Sequence, residues 1–282
     1  MPNYSTLERL QMKVLDKAVS LVMAPTAQRT VYDQFTMTVT DTVDLSPHVR
    51  RITFRADEFA THRLTGPDEY FGLLMPPAGA ATLTMPSEDK INVRQAIRKL
   101  PEGQQPDLRW YTIRALRTAD SEIDVDFILH GDAGPGTRWA SRAHAGQVVG
   151  FRAGNGTYRP THPGRRLLAA DETALPALCA IFESEGAANV DAVDALDAFV
   201  EVPDESYQVD LPVTWLHRGD DAPGTAILPA IADASTTDLG YAWLCGEAAL
   251  ATGLRRHLVK ERGVDRRRIL FSGYWRVGAA RT

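Results

Sequence analysis

At 282 residues and 31.0 kDa the chain is long for one domain and comfortable for two, each large enough to bury its own core. Hydrophobic residues make up 44% and charged ones 24%, the balance of a globular protein, and a net charge of −5 argues against a general nucleic-acid binder. Cys179 and Cys245 alone exclude a disulfide framework or a cysteine-rich metal site, and no apolar run approaches the roughly 20 residues that a membrane span needs.

The opening MPNYSTLERLQMKVLDKAVSLVMAP carries charges throughout, so it predicts no secretory signal and a cytoplasmic protein. Within 1–28, Ser5 and Glu8 have capping-box spacing, and Leu7, Leu10, Val14, Ala18 and Leu21 recur at helical spacing. This predicts a helical extension whose apolar stripe packs on the body or on a second subunit. From 29 to 160 strands dominate: QFTMTVTDTV, VRRITFRA, EYFGLLM, LRWYTIRAL, EIDVDFILH and QVVGFRAG, separated by Pro/Gly-rich turns. Six short strands at that spacing predict a closed antiparallel six-stranded β-barrel, interrupted by an exposed, partly helical insertion at 76–107.

Two segments of this half stand out. RWYTIR, residues 109–114, ends in arginines on both sides, which by itself reads sooner as a strand with surface ion pairs than as a binding motif. In EIDVDFILHG, Ile123, Val125, Phe127 and Leu129 share a core face, while Asp124, Asp126, Ile128 and His130 share the other. GDAGPGTRWA follows, placing glycines ahead of a short helix whose first N–H groups suit an anion.

After GTYRPTHPGRR the pattern changes over 164–282. RRLLAAD, LDAFVEV, VTWLHR and YAWLCG read as strands alternating with helices at ETALPALCAIFESEG, GTAILPAIADA and EAALATGLRRHLVKERG. Such alternation predicts an α/β domain with a parallel sheet and ligands at the strands' carboxyl ends. There is no Gly-rich dinucleotide fingerprint or P-loop. Nine basic residues against two acidic ones between Arg255 and Arg281 give a local +7 on a remainder of −12. This predicts an anionic small ligand or, equally, a solvated basic helix. Leu250, Leu254 and Leu258 share a core face, leaving Arg256 and Lys260 side by side outside.

RWYTIR resembles the flavin motif Arg-x-Tyr-Thr/Ser-x-Arg of the ferredoxin-reductase superfamily. The pieces after it, DVDFILHGDAGPGTRWA, LLAADETALPA, VTWLHR, CGEAALATGLRRHL and FSGYWRVG, resemble one branch, the siderophore-interacting proteins or ferric-siderophore reductases, in that family's order. The resemblance begins near residue 34 and implies an FAD-binding barrel followed by an NAD(P)H-binding-like domain. It implies that Arg109 and Arg114 meet phosphate or flavin oxygens with Trp110 beside them. Tyr111 packs on the isoalloxazine and Thr112 bonds near its N5, and these two are the catalytic candidates. It also implies that Asp126 and His130 line the flavin side, that Gly134, Gly136 and Thr137 receive the pyrophosphate, and that Trp139 lies beside the adenine or the ring.

In the second half the resemblance puts Asp171, Glu172, Thr173 and Ala174 near flavin and nicotinamide, with Tyr274 and Trp275 covering the flavin. Ala170 stands where the family usually has Gly, which predicts weak nicotinamide binding. Cys245 sits where the wider superfamily keeps Cys-Gly beside the nicotinamide, or is simply a small buried side chain. The implied function is reduction of a ferric siderophore, with electrons from NAD(P)H or reduced ferredoxin passing through FAD. Arg256, Lys260 and Arg276 are the expected contacts for an anionic chelate, and no metal site of the chain's own is expected. A general NAD(P)H flavin or ferredoxin reductase and a non-enzymatic ferric-siderophore binder remain open alternatives.

Overall fold

The period-two patterning of the first half and the strand–helix alternation of the second settle into two separate sheets. The computed structural model describes residues 4–80, 82–129, 134–188 and 196–278. It divides into two units: Met1–Lys17 with Ala27–Gly156, and Ala18–Thr26 with Thr157–Thr282.

The chain opens with α1 (Thr6–Ser20), whose capping box forms as expected: Ser5 N and Oγ donate to Glu8 Oε2 at 3.1 and 2.7 Å, and Glu8 N donates to Ser5 Oγ at 3.3 Å. Three members of the apolar stripe are exposed. Leu10 and Val14 are 58% and 62% exposed, and Leu21 just beyond the helix is 59% exposed.

The first unit holds β1 (Gln34–Ser46), β2 (Val49–Arg55), β3 (Tyr70–Met75), α2 (Val93–Ile97), β4 (Asp107–Thr112), β5 (Ala115–Arg117), β6 (Glu122–Ile128), α3 (Pro135–Ala140) and β7 (Val148–Ala153). Its seven strands form one antiparallel sheet in the order β4-β3-β7-β1-β2-β6-β5. This corrects the expected six-stranded closed barrel: among the described residues there are seven strands, and no ladder joins β4 to β5 to close the sheet. The extra strand has a local cause. Beyond Thr112 the backbone changes partners, with Ile113 N donating to Glu69 O at 2.8 Å and Arg114 N to Asp124 O at 2.8 Å. LRWYTIRAL is therefore β4 on β3 and then β5 on β6. The core is aromatic, with Phe151 stacked between Phe35 and Phe71 at centroid distances of 4.7 and 5.0 Å.

The segment 76–107 is not simply exposed. Asn92 caps α2, and Val93, Ala96 and Ile97 are buried, with Val93 and Ile97 packing on Leu74 and Leu108.

The second unit contains β8 (Arg165–Asp171), α4 (Leu175–Ala188), β9 (Leu196–Val202), β10 (Thr214–His217), α5 (Ile227–Asp233), β11 (Leu239–Glu247), α6 (Ala248–Lys260) and β12 (Ile269–Trp275). All pairings are parallel, in the order β10-β9-β8-β11-β12. β12 adds a fifth strand to the four expected. Leu250, Leu254 and Leu258 are buried as the helical spacing requires. The chain order 3-2-1-4-5 within this sheet places the switch point between β8 and β11, where ligands of open parallel sheets bind.

Candidate functional site

In the first unit the site is built on β4. Side chains alternate across the strand, so Arg109 and Tyr111 share one side, while Leu108, Trp110 and Thr112 share the other. Tyr111 lies 4.3 Å from the ring of Phe127, whose own ring is 6.0 Å from Trp139, and Trp139 stacks on Phe54 at 6.1 Å. Burial pushes the Tyr111 phenol well above its ordinary pKa, with the charge of Arg109 offsetting only part of that rise. The phenol therefore stays protonated and remains a hydrogen-bond donor.

The first turn of α3 comes down on these two side chains. A Cβ on Gly136 would sit 2.1 Å from Tyr111 Oη and 3.3 Å from Arg109 Cγ, so only glycine allows this approach. Gly134 precedes the helix without a side-chain cap, and Pro135 has no N–H to offer. The N–H groups of Gly136 and Thr137 stand in the first turn, where no intrahelical acceptor exists. A guanidinium, helix-start N–H donors that have no partner among the described residues and a hydroxyl around an aromatic wall are the donor set that a diphosphate-bearing planar cofactor requires. The residues fit FAD.

Five expected contacts, Trp110, Thr112, Asp126, Arg114 and Trp139, are engaged within the protein. Trp110 faces away from Tyr111, edge-on to Tyr70 at 5.3 Å, and Thr112 is buried on that same side. Asp126 is engaged by Arg51, which donates to both its oxygens at 2.7 and 2.8 Å, and Arg114 Nε lies 3.7 Å from it. Arg114 is thus tied to a carboxylate rather than standing alone. Trp139 is partly buried against the core. His130 lies outside the described residues. Arg51 escaped the sequence reading; its signal was the register that puts it directly opposite Asp126 in the β2–β6 pair. Beside this cluster Arg117 pairs with Asp124 and Glu122, and Thr53 Oγ donates to Asp124 at 2.7 Å.

In the second unit the carboxyl edge of the sheet is filled by the chain's own carboxylates. Asp171, ending β8, is fully buried. Its Oδ1 accepts from Thr173 N and Oγ at 2.9 and 2.5 Å, and its Oδ2 from Glu247 N and Trp275 Nε1 at 2.6 and 2.9 Å. Gly246, at φ +141, makes room for it, since a Cβ there would lie 2.6 Å from Asp171 Cγ. Burial, aided by the neighbouring charge of Glu172, pushes the Asp171 carboxyl up to about 6. Glu172 is held by Arg218 through two bonds of 2.7 Å.

Glu201, ending β9, accepts from Gly224 N, Ala226 N and Ile227 N at 2.7, 2.9 and 2.9 Å, closing the start of α5. Glu247, ending β11, accepts from Ala249 N and Leu250 N at 2.5 and 3.0 Å, closing the start of α6. Ala170 is fully buried in the strand between Val200 and Cys245, which is also fully buried, so its methyl group is not at a ligand surface. Ala174 is likewise buried.

Among the described residues, four of the nine basic residues bond within the chain. Arg255 donates to Val22 O at 2.8 Å and lies over the Phe271 ring, and Arg262 donates to Ala232 O and Ala234 O. Arg267 pairs with Asp265, and Arg268 donates to Leu239 O. Arg256 and Lys260 are exposed, but nine or more residues along α6 from Glu247 put them at least about 13 Å from the carboxyl edge. Arg276, also exposed, follows directly on Trp275 at that edge.

A seven-stranded antiparallel sheet followed by a five-stranded parallel sheet is a ferredoxin-reductase-like fold. Residues 38–158 match the siderophore-interacting FAD-binding domain and 164–278 the siderophore-interacting protein domain. The chain belongs to the siderophore-interacting protein family. It is 31% identical over 265 residues to an uncharacterized protein of Mycobacterium tuberculosis, covering 85% of this chain and 89% of that one. It is 23% identical over 239 residues to the ferric vibriobactin reductase ViuB of Vibrio cholerae, covering 83% and 86%. A siderophore utilization protein from T. fusca superposes with a TM-score of 0.76 at 29% identity, over 91% of this chain and 98% of that one.

Proposed function

We propose that the protein is an FAD-dependent ferric-siderophore reductase that takes electrons from NAD(P)H or reduced ferredoxin and passes them to siderophore-bound Fe(III). The observation that carries this reading is the convergence of Arg109, Tyr111 and the glycine-bearing turn of α3 on one side of β4. In this reading 29–160 is the FAD-binding domain, 164–282 the NAD(P)H-binding-like domain and 1–28 an extension.

Bound FAD supplies a centre that takes electrons in pairs and gives them singly. The chain's part is binding and orientation. Arg109 and the N–H groups of Gly136 and Thr137 hold the pyrophosphate, and the neutral Tyr111 phenol and its aromatic neighbours wall the ring. Asp126 fixes Arg51 and Arg114 as a cluster of net positive charge. In the substrate, hard oxygen donors hold Fe(III) firmly and the softer, less charged Fe(II) weakly, so reduction releases iron without breaking the chelator. Arg276 is the basic residue best placed to meet an anionic chelate. The reducing donors are made in the cytoplasm, where we place the reaction.

The test is anaerobic. FAD-loaded protein is photoreduced and mixed with a ferric siderophore, ferric citrate and free flavin, and Fe(II) is trapped by a chelating dye. Faster flavin reoxidation by the ferric siderophore supports the reading. Equal rates with all acceptors point to a general reductase, and tight binding without reoxidation points to a carrier. Arg109→Ala lowers FAD affinity about tenfold or more, the worth of one charge-assisted bond, as measured by retained flavin after gel filtration.

A further inference from the structure

On the Trp110 side of β4 the first unit holds a solvent-open pocket of about 200 Å³ whose chemistry the reading above does not use. Its walls include the rings of Tyr32, Tyr70 and Trp110 and the side chains of Arg94, Arg152 and Asn155. Arg152 is 99% buried. Its hydrogen bonds run to neutral oxygens: Lys90 O at 2.8 Å, Ile91 O at 3.3 Å, Tyr4 Oη at 3.4 Å and Gln34 Oε1 at 3.5 Å. The Tyr32 ring lies 5.6 Å from its guanidinium carbon. Among the described residues no carboxylate is in ion-pair contact with it; burial lowers its pKa, and the more distant charge of Glu88 and the Tyr4 and Tyr32 hydroxyls offset only part of that. A buried charge without a contact counter-ion costs several kcal/mol, of which hydrogen bonds to carbonyl oxygens recover only a part.

We propose that this pocket binds a single-ring aromatic anion, an aryl carboxylate or catecholate, with its charge on Arg152 and Arg94 and its ring against Trp110 and Tyr70. The volume decides the size class. Pockets for drug-sized ligands run from about 300 to 1,000 Å³, so this one takes one substituted ring and not a whole ferric chelate. The ring is either a free aryl acid or one arm of a larger molecule whose remainder stays outside. The site does not depend on the flavin reading, because Arg109, Tyr111 and Gly136 lie on the opposite side of β4.

Calorimetric titration of FAD-loaded protein with 2,3-dihydroxybenzoate is expected to show one site with a Kd at or below about 1 mM. The neutral 2,3-dihydroxybenzamide is expected to bind at least about tenfold more weakly, as the loss of a charge-assisted bond requires. Arg94→Gln is expected to weaken the acid by about tenfold while leaving FAD content and melting temperature unchanged. Arg152→Met risks the fold, so the neutral analogue and Arg94→Gln carry the test. Competition by a ferric tris-catecholate assigns the site to an arm of a chelate, and its absence assigns it to the free acid. The proposal fails if no saturable binding of the acid occurs in the millimolar range, or if the amide binds as well as the acid. It fails also if Arg94→Gln and Trp110→Ala both bind like the parent.

Discussion

Glu69 and Asp171 are both fully buried carboxyl groups, yet their surroundings push them in opposite directions. Burial alone would raise Glu69, but His62 Nε2 at 3.1 Å, two bonds from Thr65 and the Arg29 guanidinium at 2.6 and 2.8 Å overcome it and hold the carboxyl below its ordinary range. Glu69→Gln is therefore expected to cost about 3–5 kcal/mol in urea unfolding, because Arg29 is left as an unpaired, nearly buried charge. The sign of the pH effect follows from the lowered value. Stability from Glu69 is fully present above the unfolded carboxyl pKa and is lost as pH falls through the folded one. Asp171 does the reverse: raised to about 6, it contributes stability below its unfolded pKa and loses it as pH rises through 6. Urea unfolding of the parent and Asp171→Asn at pH 5 and pH 8 separates the two groups, and the variant is expected to lose less stability on going to pH 8. Neither arrangement was legible beforehand, since Arg29 and Glu69 are 40 residues apart and no local pattern joins them.

At the scale of elements, the start of α3 and the starts of α5 and α6 use the same backbone chemistry to opposite ends. The turn before α3 was legible as a Gly-rich helix start, and among the described residues no side chain caps it. Gly136→Ala is expected to lower FAD affinity strongly, because the new methyl group displaces the Tyr111 hydroxyl, while circular dichroism stays that of the parent. The starts of α5 and α6 are closed by Glu201 and Glu247, and the turn into α4 by Asp171. In sequence Glu201 and Glu247 are ordinary acids after apolar runs and Asp171 stands out only through the resemblance; the three-dimensional turn alone shows all three as caps. Helix starts already filled by carboxylates repel a nucleotide's phosphates. NADPH is accordingly expected to reduce the flavin in stopped flow with rates that rise linearly with concentration and increase with salt. Saturation in the micromolar range, with rates that fall as salt rises, would overturn this assignment of the caps. Ala170→Gly is expected to leave the donor kinetics unchanged, because that side chain is sealed inside the sheet.

For the molecule as a whole, the order of a strand-rich half and a strand–helix half was legible from hydrophobic period alone, as were the core faces of β6 and α6. The split of β4 from β5 was not, because it depends on where the backbone exchanges one neighbour for another. Each unit has its own core, and the residues fitted for FAD that stand on β4 and α3 belong to the first. Ligand linkage then predicts that excess FAD raises the melting of the first unit selectively, by about 2.7 kcal/mol at 100 times its Kd. Scanning calorimetry would show this as one transition moving and another staying. Residues 18–26 precede the first sheet in the chain yet group with the second unit, where Ala24 N donates to Ile269 O at 2.9 Å and Val22 O accepts from Arg255. During synthesis at about 5–20 residues per second, this stretch waits roughly 12–50 s for the strand it will bond, while the whole first sheet emerges and folds in between. A nascent chain arrested before Ile269 would thus present its early segment unsatisfied, an opening for chaperones or proteases that closes only when β12 leaves the ribosome.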